Sequence, residues 1–259
     1  MSPTISAQAV ASLRARTGVG MLAVKQALEE AAGNEEKAIE ILRKRGMAQA
    51  VKKAERDQRD GAVFIAEGGN KAAIVCLKCE TDFVSRGDAF RTIGQELADA
   101  LLNNGDAKAK ALADEKIPAA VQQLGENISL ASMEIIEALM LGTYVHSNAK
   151  IGVVIGLDKG TVEQARDVAM HAAAMNPLYR VPEDVTADVI AKEKEIWTEQ
   201  LAKEGKPAQI MEKIMLGKEK KFREENALVK QPFVKDTTKT VEQYLGGAKV
   251  VAYVRVAVA

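Results

Sequence analysis

Cys76 and Cys79 stand in a C-x-x-C, the spacing of a redox dithiol or of half a zinc site. Their setting argues against both uses. Ala72 to Cys79 alternate as a half-buried strand does, and side chains at i and i+3 of a strand leave from opposite faces, so the thiols diverge. No second cysteine pair exists, and neither His146 nor His171, the only histidines, has a partner at metal-ligand spacing. Neither a metal nor a cofactor is therefore expected. Thr17-Gly18-Val19-Gly20-Met21 with Lys25 has the glycine content of a phosphate-cradling loop, but it follows a helical pattern rather than a strand and lacks the Gly-Lys-Ser/Thr ending. A G-x-S-x-G elbow and an H-E-x-x-H motif are absent. Carboxylates are plentiful but scattered over amphipathic helices, where a solvated face is their ordinary use. The chemistry left is recognition rather than covalent catalysis, and no enzyme is expected.

One tetrapeptide has the character of a recognition element. Thr81-Asp82-Phe83-Val84 places an aromatic ring beside a carboxylate where the strand pattern ends, before apolar positions recur at helical spacing from Asp88. It reads as a connection, and an exposed aromatic on a rigid joint is suited to enter a partner's pocket. The other use of Phe83, one of five phenylalanines, is to cap its own core.

The elements that must carry this joint follow from period and punctuation. Up to about residue 54 the chain reads as three helices: Ser6 caps the first, which carries Val10 and Leu13; Thr17 to Gly20 break it; Met21 to Ala31 form the second. Gly33-Asn34 separates these from a third helix, with Glu35 and Glu36 at its positive end, Ala38, Ile39 and Leu42 inward, and a stop at Gly46. Lys52 to Asp60 mix both signs of charge as a solvated linker does.

Beyond the linker there is an internal near-repeat. Gly61 to Ala66, a turn at Gly68-Gly69-Asn70 and Lys71 to Cys79 form a hairpin followed by a helix containing Phe90, Ile93, Leu97 and Leu101. Gly142 to His146, a turn at Ser147-Asn148 and Lys150 to Leu157 form another, followed by a helix from Val162 to about Ala174. Where the first repeat has Thr81 to Val84, the second has the polar joint Asp158-Lys159-Gly160, which marks Phe83 as apolar without a structural need. From Pro182 to Leu228 the pattern is a helical hairpin, a coiled coil in character. Val185, Val189, Ile196 and Leu201 lie on one helix and Ile210, Ile214 and Phe222 on the next, with a reversal at Glu204-Gly205-Lys206-Pro207. Gln231-Pro232-Phe233 and Lys249 to Val258 then return to the second sheet.

The expected class is α+β: an N-terminal bundle over 1–54, a core N-subdomain over 55–141, a core C-subdomain over 142–182 and 228–259, and a hairpin arm over 183–227. A chain of 259 residues suits this division. Its 36 Lys and Arg balance 36 Asp and Glu, so no overall field draws it to nucleic acid or an anionic membrane. No apolar run approaches the roughly 20 residues of a membrane span, and the N-terminus lacks a signal peptide's regions, so a cytoplasmic protein is expected.

Taken together, these residues resemble the bacterial elongation factor Ts family, guanine-nucleotide exchange factors of elongation factor Tu. The resemblance rests on Leu13-Arg14, Thr17 to Met21 and Lys25 to Leu28; on Thr81 to Val84; and on Gly125-Glu126-Asn127-Ile128, His146 and Met170-His171. It implies that the N-terminal bundle is ubiquitin-associated-like and that the partner is the GDP-bound GTPase. It further implies that Thr81, Asp82, Phe83 and Val84 disturb magnesium coordination in that partner, that Leu13, Arg14, Met21 and Leu22 grip its GTPase domain, and that His146 touches another of its domains. Met21-Leu22-Ala23-Val24 departs from the more polar residues of many relatives, and the sequence stops at Ala259 where some relatives continue into a C-terminal helical module. The arm's amphipathic faces allow a homodimer or a two-by-two complex.

Overall fold

In a computed structural model that describes residues 5–203 and 208–258, local capping chemistry sets the first helices. Ser6 Oγ accepts from Ala9 N at 3.1 Å and opens α1 (Ala7–Thr17), which ends on Gly18 in the left-handed region at φ 68°. α2 (Met21–Glu30) follows, and Asn34 Oδ1 accepts from Lys37 N at 3.0 Å to open α3 (Glu35–Lys53). Val10, Leu13, Val24, Leu28, Ala38 and Leu42 close a small core between them. Gly46 does not stop α3, contrary to the sequence reading. It lies buried inside the helix, where a Cβ would come within 2.9 Å of the Pro118 carbonyl. Its smallness serves the close packing of α3 on a later helix, not termination.

β1 (Asp60–Gly68) and β2 (Lys71–Cys79) form an antiparallel hairpin in the register Asp60↔Cys79 to Gly68↔Lys71. The helices α4 (Asp82–Arg86), α5 (Asp88–Asn104) and α6 (Asp106–Leu124) follow, and β3 (Ser129–Glu137) completes a sheet in the order β1-β2-β3. Phe64, Val75, Leu77 and Cys79 pack with Phe90, Leu97 and Leu101 on its helical side. Gly94 lets α5 approach the sheet: a Cβ there would sit 2.1 Å from the Phe64 ring. The Thr81–Val84 stretch is not an open connection, because Asp82 to Val84 are already the start of α4.

A second sheet has the order β4-β5-β8, from β4 (Met140–Val145), β5 (Ile151–Leu157) and a late strand, β8 (Val250–Ala257). α7 (Val162–Met175) follows β5 and is closed by a capping box in which Thr161 and Gln164 bond reciprocally. Two long helices, α8 (Ala187–Lys203) and α9 (Ala208–Asn226), come next. Their contact is built on Trp197, whose ring lies 5.9 Å edge-on from that of Phe222, with Ile190 and Leu201 also buried. Ile196, one of the apolar positions by which the sequence marks this helix, is 49% exposed; the larger Trp197 takes the inward position one residue on. The reversal expected at Glu204 to Pro207 and the side chain of Ile210 lie outside the described residues. β6 (Pro232–Phe233) pairs with β7 (Asp236–Thr240) in a separate two-stranded sheet rather than joining the second sheet, and α10 (Val241–Leu245) leads to β8. Helices and small antiparallel sheets are thus mixed, as an α+β chain requires. The described residues fall into two compact units, one reaching Ile135 and including Val145–Gly152 and the residues from Val256, the other holding Ile136–Tyr144 and Val153–Arg255.

Candidate functional site

Phe83 is 85% exposed, the most exposed of the large apolar side chains among the described residues. It therefore does not cap its own core. The residues around it are anchored. Val84 packs against the core cluster of the first sheet, and Ser85 is 6% exposed with its hydroxyl donating to Asp82 O at 3.1 Å. Asp82 pairs with Arg86 one turn on at 3.2 Å. α4 is only five residues long, too short to hold itself in water, so these attachments are what keep it helical.

Next to Ser85 of α4 lies a charge pair of a buried carboxylate and a half-buried lysine. Asp60 accepts from Gly61 N at 2.7 Å and from Lys150 Nζ at 2.5 Å. Burial alone would raise the Asp60 carboxyl, but the Lys150 ammonium, the Ser85 hydroxyl and the Gly61 N–H bring it below the ordinary carboxylate range. Lys150 follows the turn after β4, so this pair ties β1 to that turn, and the Ser85 hydroxyl connects α4 to the same carboxylate. Ser85, Arg86 and Arg91 on one side and Ser147, Asn148, Ala149 and Lys150 on the other line a cleft of about 340 Å³. His146, exposed at the head of the turn, accepts through its carbonyl from Ala149 N at 2.7 Å. The structure so brings the His146 turn next to α4, two regions far apart in sequence.

The other expected contact residues lie on the helical bundle. Met21 and Leu22, at the start of α2, are 55% and 70% exposed, and Arg14 is exposed on α1. Leu13 differs. It is wholly buried in the bundle core, so its side chain cannot meet a partner and acts by fixing α1 against α2.

Sequence reasoning missed the residues that hold Thr81. Thr81 caps α4 without using its own side chain on the helix; instead Glu126 Oε2 accepts from Glu80 N and Thr81 N, each at 3.0 Å, and Glu126 Oε1 accepts from Thr81 Oγ1 at 2.5 Å. The Gly125-Glu126-Asn127-Ile128 run was visible as a landmark, but nothing in it pointed to α4. Both cysteines are buried in β2, and Cys79 Sγ donates to Thr81 O at 3.2 Å. Burial, reinforced by the carboxylates of Glu126 and Asp60, pushes the Cys79 thiol up to about 12. Among the described residues no group of His, Cys, Asp or Glu is arranged to hold a metal, and no helix is long and apolar enough to cross a membrane. The arrangement can present an apolar ring and a carboxylate on a braced helix.

A family model described as Elongation factor TS matches residues 80–259. Among curated proteins, the elongation factor Ts of Deinococcus radiodurans is 42% identical over 260 residues, covering 96% of this chain and 97% of its own length. That of Aeromonas hydrophila is 43% identical over 97% of this chain and 89% of its own length, and that of a Hydrogenobaculum species 40% identical over 93% of each.

Proposed function

The chain belongs to the elongation factor Ts family and is a factor of translation elongation; on that premise we propose that it binds GDP-bound elongation factor Tu and speeds the loss of GDP by disturbing the magnesium and nucleotide site, so that GTP can bind. The observation that carries the reading is the 85% exposure of Phe83 on a short helix that its neighbours brace. A ring offered this way can enter a partner without the factor first paying an ordering cost. In the proposal Phe83 is the wedge, Asp82 competes for polar contacts near the partner's metal, and Thr81 and Val84 hold the two in place. Magnesium requires near-ideal octahedral geometry and bridges phosphate oxygens, so a small shift in the residues around it weakens the nucleotide considerably. Arg14, Met21 and Leu22 grip the GTPase from the bundle, which in this reading is a ubiquitin-associated-like module over 1–54, with Leu13 shaping it from within. His146 meets a further domain of the partner. Exchange of this kind is linkage between two ligands of one protein, with no covalent step in the factor.

Self-association, as a homodimer or a two-by-two complex, belongs to the same proposal. Ile196 and Leu216 on the two long helices are 49% and 62% exposed, which supports it. A monomeric mass at high concentration would remove that part.

The test is the release of fluorescent GDP from elongation factor Tu in a stopped-flow instrument. The wild-type protein is expected to accelerate release. Phe83→Ala is expected to slow the accelerated rate at least about tenfold, the effect of losing a good aromatic anchor. No acceleration by the wild type would sink the exchange reading, and unchanged release by the variant would remove Phe83 from it.

A further inference from the structure

Thr81 opens α4 and Thr161 opens α7, each after the second strand of its hairpin, yet the two threonines are used differently. Thr161 closes its own helix: its Oγ1 accepts from Gln164 N at 3.1 Å, and Gln164 Oε1 accepts from Thr161 N at 3.1 Å. The Thr81 hydroxyl is turned away from its helix and donates to Glu126 Oε1 at 2.5 Å, while Glu126 Oε2 takes the N–H groups of Glu80 and Thr81 at 3.0 Å each. One carboxylate from a distant part of the chain thus satisfies the joint from outside. Glu80 returns the contact, its Oε1 accepting from Asn127 N at 2.7 Å. Asn127 is 5% exposed and donates through Nδ2 to Ala54 O at 3.3 Å and to Arg56 O at 2.9 Å. The end of β2, the segment leading into β3 and the linker that follows α3 are tied at one point. Bonds to an ionised acceptor are shorter and about twice as strong as neutral ones, which suits a brace on so short a helix.

We infer that Glu126 is a positioning residue of the exchange site: with Glu80 and Asn127 it locks the joint before α4, so that Phe83 is held in one presentation, in register with the linker leading from the N-terminal bundle, before any partner arrives. The inference rests on the exchange reading above. Released from Glu126, α4 loses its external cap, and a five-residue helix frays readily. A frayed α4 still carries Phe83, but the partner must order it, and misplacement on this scale can lower a rate by one to two orders of magnitude.

The test uses the full chain with Glu126→Ala, Glu126→Gln, Phe83→Ala and the double variant Glu126→Ala/Phe83→Ala. Amide hydrogen exchange on the free factor comes first. Glu126→Gln is expected to keep most of the native protection, since its Oε1 can accept from both N–H groups and its NH2 can donate to the Thr81 hydroxyl, whereas Glu126→Ala is expected to lose protection at residues 80–86 alone. Unchanged protection there in Glu126→Ala, or a loss spread over β1, β2 and β3, overturns the positioning role whatever the partner. GDP release from elongation factor Tu at saturating factor comes second. Glu126→Ala is expected to slow it about tenfold, and in the Phe83→Ala background the same change should add nothing, because its effect passes through that ring. Wild-type release by Glu126→Ala beside a slow Phe83→Ala overturns the inference and leaves the wedge standing, as does a further full loss in the double variant. Wild-type release by Phe83→Ala instead sinks the wedge, and the hydrogen-exchange result then decides whether Glu126 braces the joint.

Discussion

His171 is the largest polar side chain that the second unit buries completely, and its two ring nitrogens have fixed and different roles. Val234 N donates to Nδ1 at 3.1 Å, so that nitrogen carries no proton, and Nε2 donates to Gln231 Oε1 at 3.0 Å. Burial lowers its pKa below the ordinary 6.5, and the bond to Gln231 only partly opposes this. The unfolded chain therefore binds a proton here that the folded chain refuses. The contribution to stability is fully present above about 6.5 and is lost as pH falls below it toward the folded value, by up to ~1.4 kcal/mol per unit. Urea unfolding at pH 7.5 and pH 5.5 should show the midpoint falling with acidification, and His171→Asn, although less stable throughout, should show a smaller fall between the two. Equal falls would mean that other groups set the acid sensitivity. The cysteines give a second residue-level expectation. With Cys79 pushed up to about 12 and both thiols buried, neither should react with iodoacetamide in the native protein at pH 8, and both should react in denaturant. Rapid native alkylation would show that β2 opens. The C-x-x-C is thus a pair of core residues whose spacing imitates a chemical motif.

At the scale of elements, close approach is carried by small residues whose role a sequence conceals. Gly46→Val should destabilise the fold by about 1–3 kcal/mol in chemical denaturation, because the added atoms meet the Pro118 backbone and the Gln122 side chain across α3 and α6. A helix-stop glycine would instead occupy the left-handed region, where any side chain is strained; Gly46 has an ordinary helical backbone, so Gly46→Ala should already register the close contact with Pro118. The same physics explains what was legible. Caps at Ser6 and Asn34 and the break at Gly18 are local interactions, and local interactions can be read from neighbouring letters. The hairpin of β1 and β2 was readable from its alternation and glycine turn. α6 was not: its buried positions are Ala109, Ala113, Ala120 and Val121, too small to give a strong apolar period, and Pro118 interrupts the pattern. β3 keeps most of its residues half-buried or exposed, which blurs a two-residue period. The site divides in the same way. Phe83 was visible as an apolar residue in a polar place, and its exposure follows. Glu126 was not, since the groups it holds lie 45 and 46 residues away and only the fold brings them together. Leu13 shows the converse limit, a residue inside a recognisable motif that turns inward and serves the core.

For the whole molecule, the proposed exchange divides binding into a part that is indifferent to GDP and a part that opposes it. A contact made equally well to the nucleotide-free and the GDP-bound partner tightens the complex but cannot shift the nucleotide; only a contact that differs between the two states can. Met21 and Leu22, exposed on the bundle, are offered as the first kind and Phe83, on its braced helix, as the second. By reciprocity, the ratio by which the factor weakens GDP must equal the ratio by which GDP weakens the factor. The two classes of variant should therefore separate cleanly. Met21→Ala/Leu22→Ala should raise the factor's dissociation constant for both partner states by the same amount, roughly tenfold for the loss of buried apolar anchors, and leave the coupling ratio and the maximal release rate unchanged. Phe83→Ala should lower that ratio along both edges of the cycle by an equal factor and depress the maximal rate. Titration of the factor into nucleotide-free and GDP-bound elongation factor Tu, alongside GDP titration with and without the factor, measures all four edges. If the Met21 and Leu22 changes lower the coupling ratio as Phe83→Ala does, the bundle takes part in dislodging GDP, and the division between grip and wedge is wrong.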